Sequence, residues 1–220
     1  DGYTLLMVFP THVAKPYLFS KMPYDTVKAF APVTIVSTVS LLLAVNGDLP
    51  VKSTPELIAY AKAKPGQLNY GTVGSGSMGH LGSELFRSMA GTRMTQVPYK
   101  GSPQILSALI GGEINIYMVA SIGGVMPQIK SGRVRALGVS TKQALPVLPN
   151  VPPIAEALPG YEARGWNGIL APAGTPRNII DKLHKEIVAI VRSPEFAKNL
   201  TNEGAFAVGN TPAEFAEVIR

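Results

Sequence analysis

The fold is decided by the stretch Leu68-Asn-Tyr-Gly-Thr-Val-Gly-Ser-Gly-Ser-Met-Gly-His80. A β-rich run over 67–73 enters a loop of glycine and serine, and a helix predicted over 80–90 follows it. Glycine lets the backbone approach a ligand closely, and the first turn of a helix presents unpaired N–H groups at its positive dipole end. We therefore predict an anion site on the backbone of Gly74–Met78, with Ser75 and Ser77 as hydroxyl donors or helix N-caps.

The same loop spells Gly74-x-Gly76-x-x-Gly79, the fingerprint of dinucleotide-binding βαβ units. That fingerprint also requires an acidic residue about 20 residues further along, where it binds a ribose hydroxyl. The next predicted strand ends in Val97-Pro-Tyr-Lys100, and its region has no acid before Glu113. A dinucleotide-dependent oxidoreductase therefore remains an alternative, for which the sequence has the glycine pattern but lacks the acidic residue.

Several predicted helices begin with Ser or Thr as the N-cap and Pro in the first turn, as in Ser53-Thr-Pro-Glu56. Helices are predicted over 54–64, 80–90, 102–111, 122–131, 152–158, 176–192, 194–203 and 212–220. The β-rich runs are 3–9, 33–38, 41–46, 67–73, 94–97, 114–118, 134–140, 166–171 and 205–208. Strands that alternate with helices of this length indicate βαβ units on a parallel sheet, so the predicted fold class is α/β.

The alternation of strands and helices is clearest from about 50 to 140. Before it, two β-rich runs come nearly back to back, and after it a proline-rich stretch precedes a new strand. We predict a central α/β unit, 46–165, inserted between two parts of another unit, 1–45 and 166–220.

Composition excludes several classes of protein. The chain has 220 residues, as in a protein of one large or two small domains; 46% are hydrophobic, which is normal, and 15% are charged, well under the usual fraction of about 25%. It has no cysteine, its three histidines lack metal-ligand spacing, and no Gly-x-Ser-x-Gly motif is present, so we predict no metal and no catalytic residue. The net charge of +6 is scattered, which disfavours nucleic-acid binding and favours the approach of small anions.

Four further residues are candidates for ligand contact. His80 lies in the first turn of the helix after the loop, where it contacts a ligand or holds the loop by a hydrogen bond. Thr11 and His12 follow the first β-rich run at its carboxyl end, where ligands bind in open α/β sheets, the alternative being a plain turn. Asn167 begins the β-rich run that returns to the first unit, and it is placed to line a cleft.

Motifs along the whole chain resemble those of a known family. Besides Asn69–Leu81, they are Val97-Pro-Tyr-Lys-Gly101, Leu109-Ile-Gly-Gly-Glu-Ile114, Gly132-Arg-Val-Arg-Ala-Leu137, Asp1-Gly-Tyr-Thr-Leu5, Pro23-Tyr-Asp25, Phe30-Ala-Pro-Val33 and Leu170-Ala-Pro-Ala-Gly-Thr-Pro176. Taken together, they resemble the Bug family, the extracytoplasmic solute receptors of tripartite tricarboxylate transporters. The resemblance covers essentially all 220 residues in order.

The resemblance implies a type II periplasmic-binding-protein fold of two lobes that close on a ligand. It also implies a periplasmic, non-enzymatic protein without a cofactor. Such a protein binds a small di- or tricarboxylate-like solute and delivers it to membrane permease subunits. In this family the ligand carboxylates are held largely by backbone N–H groups and waters, from one loop in each lobe. A sensor-type receptor of the same fold is the alternative.

The chain departs from the family pattern in two places. The first βαβ unit of lobe one, with its own Gly-rich loop, would lie before Asp1. We therefore expect a fragment whose truncated lobe pairs with another copy or swaps an element with it. The family often carries an Asp after the run 114–118, where this chain has Ser121, and that change disfavours an amino-acid ligand. The candidate ligand-binding residues are Gly74, Ser75, Gly76, Ser77, Met78, His80, Thr11, His12, Ser121 and Asn167.

Overall fold

The computed structural model describes residues 4–18 and 20–220, so the predicted turn at Asp1-Gly2 lies outside the described residues. The strands are β1 Leu6–Val8, β2 Phe30–Ser40, β3 Leu42–Asn46, β4 Asn69–Thr72, β5 Thr95–Pro98, β6 Ile116–Val119, β7 Val134–Val139, β8 Arg164–Pro172 and β9 Ala205–Ala207. The α-helices are α1 Thr11–Leu18, α2 Thr54–Ala63, α3 Met78–Ala90, α4 Ser102–Ile110, α5 Ile122–Lys130, α6 Arg177–Val191, α7 Pro194–Asn202 and α8 Pro212–Ile219.

These elements form two compact units. One unit contains the chain up to Val39 together with Gly165–Arg220, and the other contains Ser40–Arg164. The sequence-based boundary after Val45 divides β3 from the rest of the second unit, whereas the structure places the whole of β3 there. The reason is that β3 pairs with β6 on one side and with β7 on the other.

The sheet of the second unit has the order β5-β4-β6-β3-β7. β4 runs parallel to β5 and β6, as βαβ units require, but β3 runs antiparallel to both β6 and β7. The sheet is therefore mixed: β4, β5, β6 and β7 run in one direction, as predicted for 46–165, and β3 runs in the opposite direction. β3 follows β2 after a single residue, and it lies between β6 and β7 in the sheet of the second unit.

Helices cover both faces of this sheet, which explains why Leu41–Val45 is apolar at every position. Leu41, Leu43 and Val45 pack on one side with residues of α2 and α3. Leu42 and Ala44 pack on the other side with residues of α4 and α5. All five are fully buried, because alternate side chains of a strand point to opposite faces and helices cover both faces.

Helix α3 packs unusually close to this sheet because of two glycines. A Cβ atom added at Gly79 would lie 2.9 Å from the carbonyl oxygen of Met118, and one added at Gly82 would lie 2.4 Å from Leu41 Cδ1. Real Cβ atoms do not approach so closely. The third glycine of the Gly74-x-Gly76-x-x-Gly79 pattern thus brings α3 against the end of β6.

The first unit is built on a four-stranded sheet in the order β1-β8-β2-β9. Its core joins Val8, Ile35 and Leu170 of the strands to Phe215 and Ile219 of α8. Phe215 reaches the sheet because β8 carries Gly168, where an added Cβ would lie 2.2 Å from the Phe215 ring.

Most of the predicted N-caps, in which Ser or Thr precedes a Pro in the first turn, form in the structure. The side chains of Ser53, Ser193 and Thr211 accept hydrogen bonds from backbone N–H groups three residues further on. Two helix predictions fail. Helix α1 is absent from the predicted helices, which offered a plain turn at Thr11 and His12, and it contains Pro16. The stretch 152–158 forms only a short 3-10 helix, Ile154–Glu156, which follows two consecutive prolines.

Candidate functional site

The carboxyl ends of β4, β5 and β6 meet at one edge of the sheet of the second unit, because these strands are parallel. Each end leads into a helix: β4 into α3, β5 into α4 and β6 into α5. The Gly/Ser loop, residues 73–77, follows β4 at this edge. Ligands in open α/β sheets bind at this end of the strands.

Two glycines give the Gly/Ser loop its shape. Gly74 has φ 111° and Gly76 has φ 80°, values that residues with a side chain rarely adopt. An added Cβ at Gly74 meets no atom within 4 Å, so backbone conformation rather than crowding favours glycine there. Gly76 is buried, whereas Ser75 between them is exposed.

Ser77 acts as the N-cap of α3. Its Oγ accepts the N–H of His80 at 3.3 Å and donates to the carbonyl oxygen of Gly74 at 2.8 Å. The Ser77 N–H also donates to the Gly74 carbonyl oxygen. The Ser77 hydroxyl is thus used within the loop, so of its two predicted roles the N-cap is the one observed.

His80 also turns back onto the loop. Its Nδ1 atom accepts the backbone N–H of Gly76 at 3.2 Å, so in this arrangement Nδ1 carries no proton. The Gly76 N–H, which the sequence placed in the anion site, is therefore occupied by an internal partner. Of the two predicted roles of His80, the structure has the hydrogen bond that holds the loop.

Three backbone donors of the loop and the first helical turn remain unused. Within the described part of the chain, no atom accepts the N–H groups of Ser75, Met78 or Gly79. Met78 and Gly79 are the first two residues of α3, whose 13 residues align their peptide dipoles toward this end. These three N–H groups form the candidate anion site. Sequence reasoning did not include the Gly79 N–H, although a helix N-capped at Ser77 implies it.

One ion-paired network stabilises α3 next to the candidate anion site. Tyr70 of β4 donates its hydroxyl to Glu84 Oε1 at 2.5 Å, and the guanidinium of Arg87 pairs with the same carboxylate. The hydrogen bonds from Arg87, followed by that from Tyr70, hold the pKa of Glu84 below its ordinary value. Burial, with the Glu84 contact, raises the pKa of Tyr70, so its hydroxyl stays neutral.

Of the remaining candidate residues, three belong to the first unit and one lies at the sheet edge of the Gly/Ser loop. Thr11 and His12 begin α1, where the buried His12 donates from Nε2 to the carbonyl oxygen of Thr26 at 2.8 Å. Asn167 lies on β8 and donates from its amide nitrogen to Ser37 Oγ at 2.9 Å. Ser121 is the N-cap residue of α5 at the carboxyl end of β6, and so it lies at the same sheet edge as the Gly/Ser loop.

The described residues hold neither a metal-ligating cluster nor a membrane-spanning helix. Residues 4–18 and 20–220 contain no group of three His, Asp or Glu side chains placed to hold a metal ion. In the same ranges, every helix is too short or too polar to span a membrane.

The sequence matches the family model described as the tripartite tricarboxylate transporter family receptor over residues 1–219. The chain belongs to this family. The resemblance that the motifs indicated is thereby confirmed. The chain is 33% identical to the protein BugT of Bordetella pertussis over 216 residues, which cover 96% of this chain and 66% of BugT. It spans about two thirds of the length of the curated relatives it matches.

Solved structures of relatives share the fold. An R. palustris protein solved with adipate is 37% identical to this chain. The match covers all of this chain and 74% of that protein's chain, with a TM-score of 0.92. MatC from Rhodopseudomonas palustris, solved with bound malate, is 29% identical to this chain. The match covers all of this chain and 76% of the MatC chain, with a TM-score of 0.88. The α/β fold of periplasmic binding proteins, predicted from the sequence, is confirmed for this chain.

Proposed function

We propose that this protein is a non-enzymatic receptor that binds a small carboxylate, of di- or tricarboxylate type, and delivers it to the permease subunits of a tripartite transporter. It works in the periplasm and needs no cofactor. The proposal draws on family membership and on two relatives whose structures contain the dicarboxylates adipate and malate.

The observation that carries the proposal is the set of unused N–H groups at Ser75, Met78 and Gly79. A carboxylate has two oxygens with several lone pairs, so it can accept all three donors at once. Hydrogen bonds to a charged acceptor contribute about 1.5–3 kcal/mol each, and the dipole of α3 adds to them. The candidate side chains Ser75 and Ser121, at the same sheet edge, belong to the proposal as secondary contacts.

The proposal is tested by titrating the intact protein with adipate and malate in a calorimeter. We expect both acids to bind and the corresponding uncharged diamides not to bind, because an amide lacks the charge that the backbone donors and the helix dipole stabilise. Equal affinity for acid and diamide, or binding of NAD(P) in place of the acids, would contradict the proposal.

A matched pair of variants locates the site. Gly74→Val and Gly66→Val place a side chain on glycines with positive φ and open space around the added Cβ, so their strain is comparable. We expect Gly74→Val to lower adipate affinity at least tenfold and Gly66→Val to leave it unchanged. Lys100→Ala should have a smaller effect than Gly74→Val, because a single distant cation contributes less than the backbone donors.

A further inference from the structure

A cavity of about 370 Å³ lies in the second unit, between the first turns of α4 and α5 beside the end of β6. Its walls include the apolar side chains of Leu106 and Val119 and the hydroxyl-bearing Ser102, Tyr117 and Ser121. Among the described residues that line it, none carries a charge. A cavity of this volume is at the small end of the range for ligand pockets, about 300–1,000 Å³.

The cavity and the Gly/Ser loop share one edge of the sheet. β4 and β6 are adjacent parallel strands, about 4.8 Å apart where they pair, so the segments that follow them leave the same edge of the sheet. Met118 of β6 meets the start of α3, whereas Tyr117 and Val119 belong to the core on the α4 and α5 side. Only the end of β6 therefore separates a ligand bound at the start of α3 from the cavity.

The lining indicates what the cavity accepts. A second carboxylate would lose its hydration there without meeting a cation, and that exchange is unfavourable. An alkyl or aryl group would bury its surface against Leu106 and Val119. Tyr117 is 6% exposed, and because burial raises its pKa it offers a neutral hydroxyl to a polar substituent.

We propose that this cavity is the subsite for the uncharged body of the ligand, so that the receptor selects carboxylates carrying an alkyl or aryl group over compact tricarboxylates. The inference rests on the proposed function, in which the N–H groups of Ser75, Met78 and Gly79 hold the carboxylate. It adds that affinity grows with the length of the apolar body until the cavity is full.

Gly124 provides a variant that fills the cavity without disturbing the fold. It lines the cavity, and an added Cβ there lies 3.9 Å from Ser121 Oγ, an ordinary contact. Gly124→Val therefore reduces the free volume, and Leu106→Ala enlarges it from the opposite wall. The melting temperature of each variant verifies that it is folded.

The experiment is an NMR titration of the intact protein with acetate, butanoate and hexanoate. In the wild type we expect affinity to rise about fourfold for each added CH₂ group. Gly124→Val should abolish this rise and leave acetate affinity unchanged, and Leu106→Ala should favour chains longer than hexanoate.

The outcomes separate this inference from the proposed function. An affinity that does not depend on chain length, or a rise that persists in Gly124→Val, would overturn the cavity as a subsite even if acetate binds. Equal, Gly124-dependent binding of hexanoate and of uncharged hexanamide would overturn the backbone anion site and uphold the cavity. If none of the three acids binds while adipate does, the cavity inference is wrong and the proposed function stands; if adipate also fails to bind, both are wrong.

Discussion

Ser77 and His80 both direct their side chains to the backbone of their own loop. Ser77 Oγ joins the Gly74 carbonyl oxygen to the His80 N–H, and His80 Nδ1 accepts the Gly76 N–H. These contacts fix the loop with internal bonds while the N–H groups of Ser75, Met78 and Gly79 stay open. A preformed loop of this kind has little entropy to lose when an anion binds.

The first prediction concerns the carboxylate of Glu84, whose pKa is lowered by Arg87 and then by Tyr70. A depressed pKa stabilises the folded state above the ordinary value of 4.5, and this contribution is lost as the pH falls through the lowered pKa. We expect Glu84→Gln to reduce the free energy of unfolding by about 1 kcal/mol at pH 7, since solvent screens a partly exposed pair.

Urea denaturation at a series of pH values measures this effect. The difference between wild type and Glu84→Gln should shrink below pH 4.5 and vanish once Glu84 is protonated in the folded protein. Arg177 and Asp181 form an exposed pair at 3.8 Å, so Asp181→Asn serves as the control with little effect at any pH. A Glu84→Gln penalty independent of pH would contradict the assignment.

At the scale of secondary structure elements, the close approach of α3 to β6 depends on Gly79. A Cβ there would meet the Met118 carbonyl oxygen, a backbone atom that cannot rotate away. We expect Gly79→Ala to lower the free energy of unfolding by about 1–3 kcal/mol through overpacking. Gly124→Ala in α5, with its nearest atom at 3.9 Å, should raise it by up to about 1 kcal/mol through helix propensity. Equal effects in urea denaturation would show that α3 has room to move.

The elements that could be predicted from the sequence are those with local signals. Ser53, Ser193 and Thr211 cap helices because an N-cap hydroxyl acts on a backbone N–H only three residues away. The direction of β3 has no such signal, because strand pairing depends on residues far along the chain. The bond between His80 and Gly76 depends on the path of the turn, which residue types alone do not specify.

At the scale of the whole molecule, the first unit exposes apolar side chains on and beside an edge strand. β1 pairs only with β8, and Leu6, Met7 and Phe9 are 40%, 49% and 49% exposed. Edge strands with apolar side chains pair readily with other chains. We therefore expect the 220-residue chain alone to associate with increasing concentration, as the proposed pairing or swap through this unit requires.

Sedimentation velocity measures this association, and two substitutions locate it. Met7→Lys should shift the chain toward the monomer, because a charge on an edge strand opposes pairing. Ile190→Lys is the control, since Ile190 is 60% exposed on α6, away from β1. A monomer at every concentration, or equal effects of the two lysines, would refute pairing through β1.

The central claim is that backbone N–H groups at the start of α3 hold the ligand, and Met78 allows one of them to be deleted. Proline at the first helical residue removes an N–H without harming a helix, as Pro194 and Pro212 do in α7 and α8. Ser77 has φ −64° and ψ 157°, close to the angles of Ser193 and Thr211, which precede those prolines. Met78→Pro should therefore fold.

The decisive measurement is the calorimetric affinity of the intact protein for adipate in Met78→Pro and in Met78→Ala. The alanine variant keeps the N–H and loses only the side chain, so we predict an affinity within about threefold of the wild type. The proline variant loses a hydrogen bond to a charged acceptor, so we predict an affinity about 10- to 100-fold lower. Wild-type affinity in a folded Met78→Pro protein, or an equal loss in both variants, would contradict the claim that the backbone binds the carboxylate.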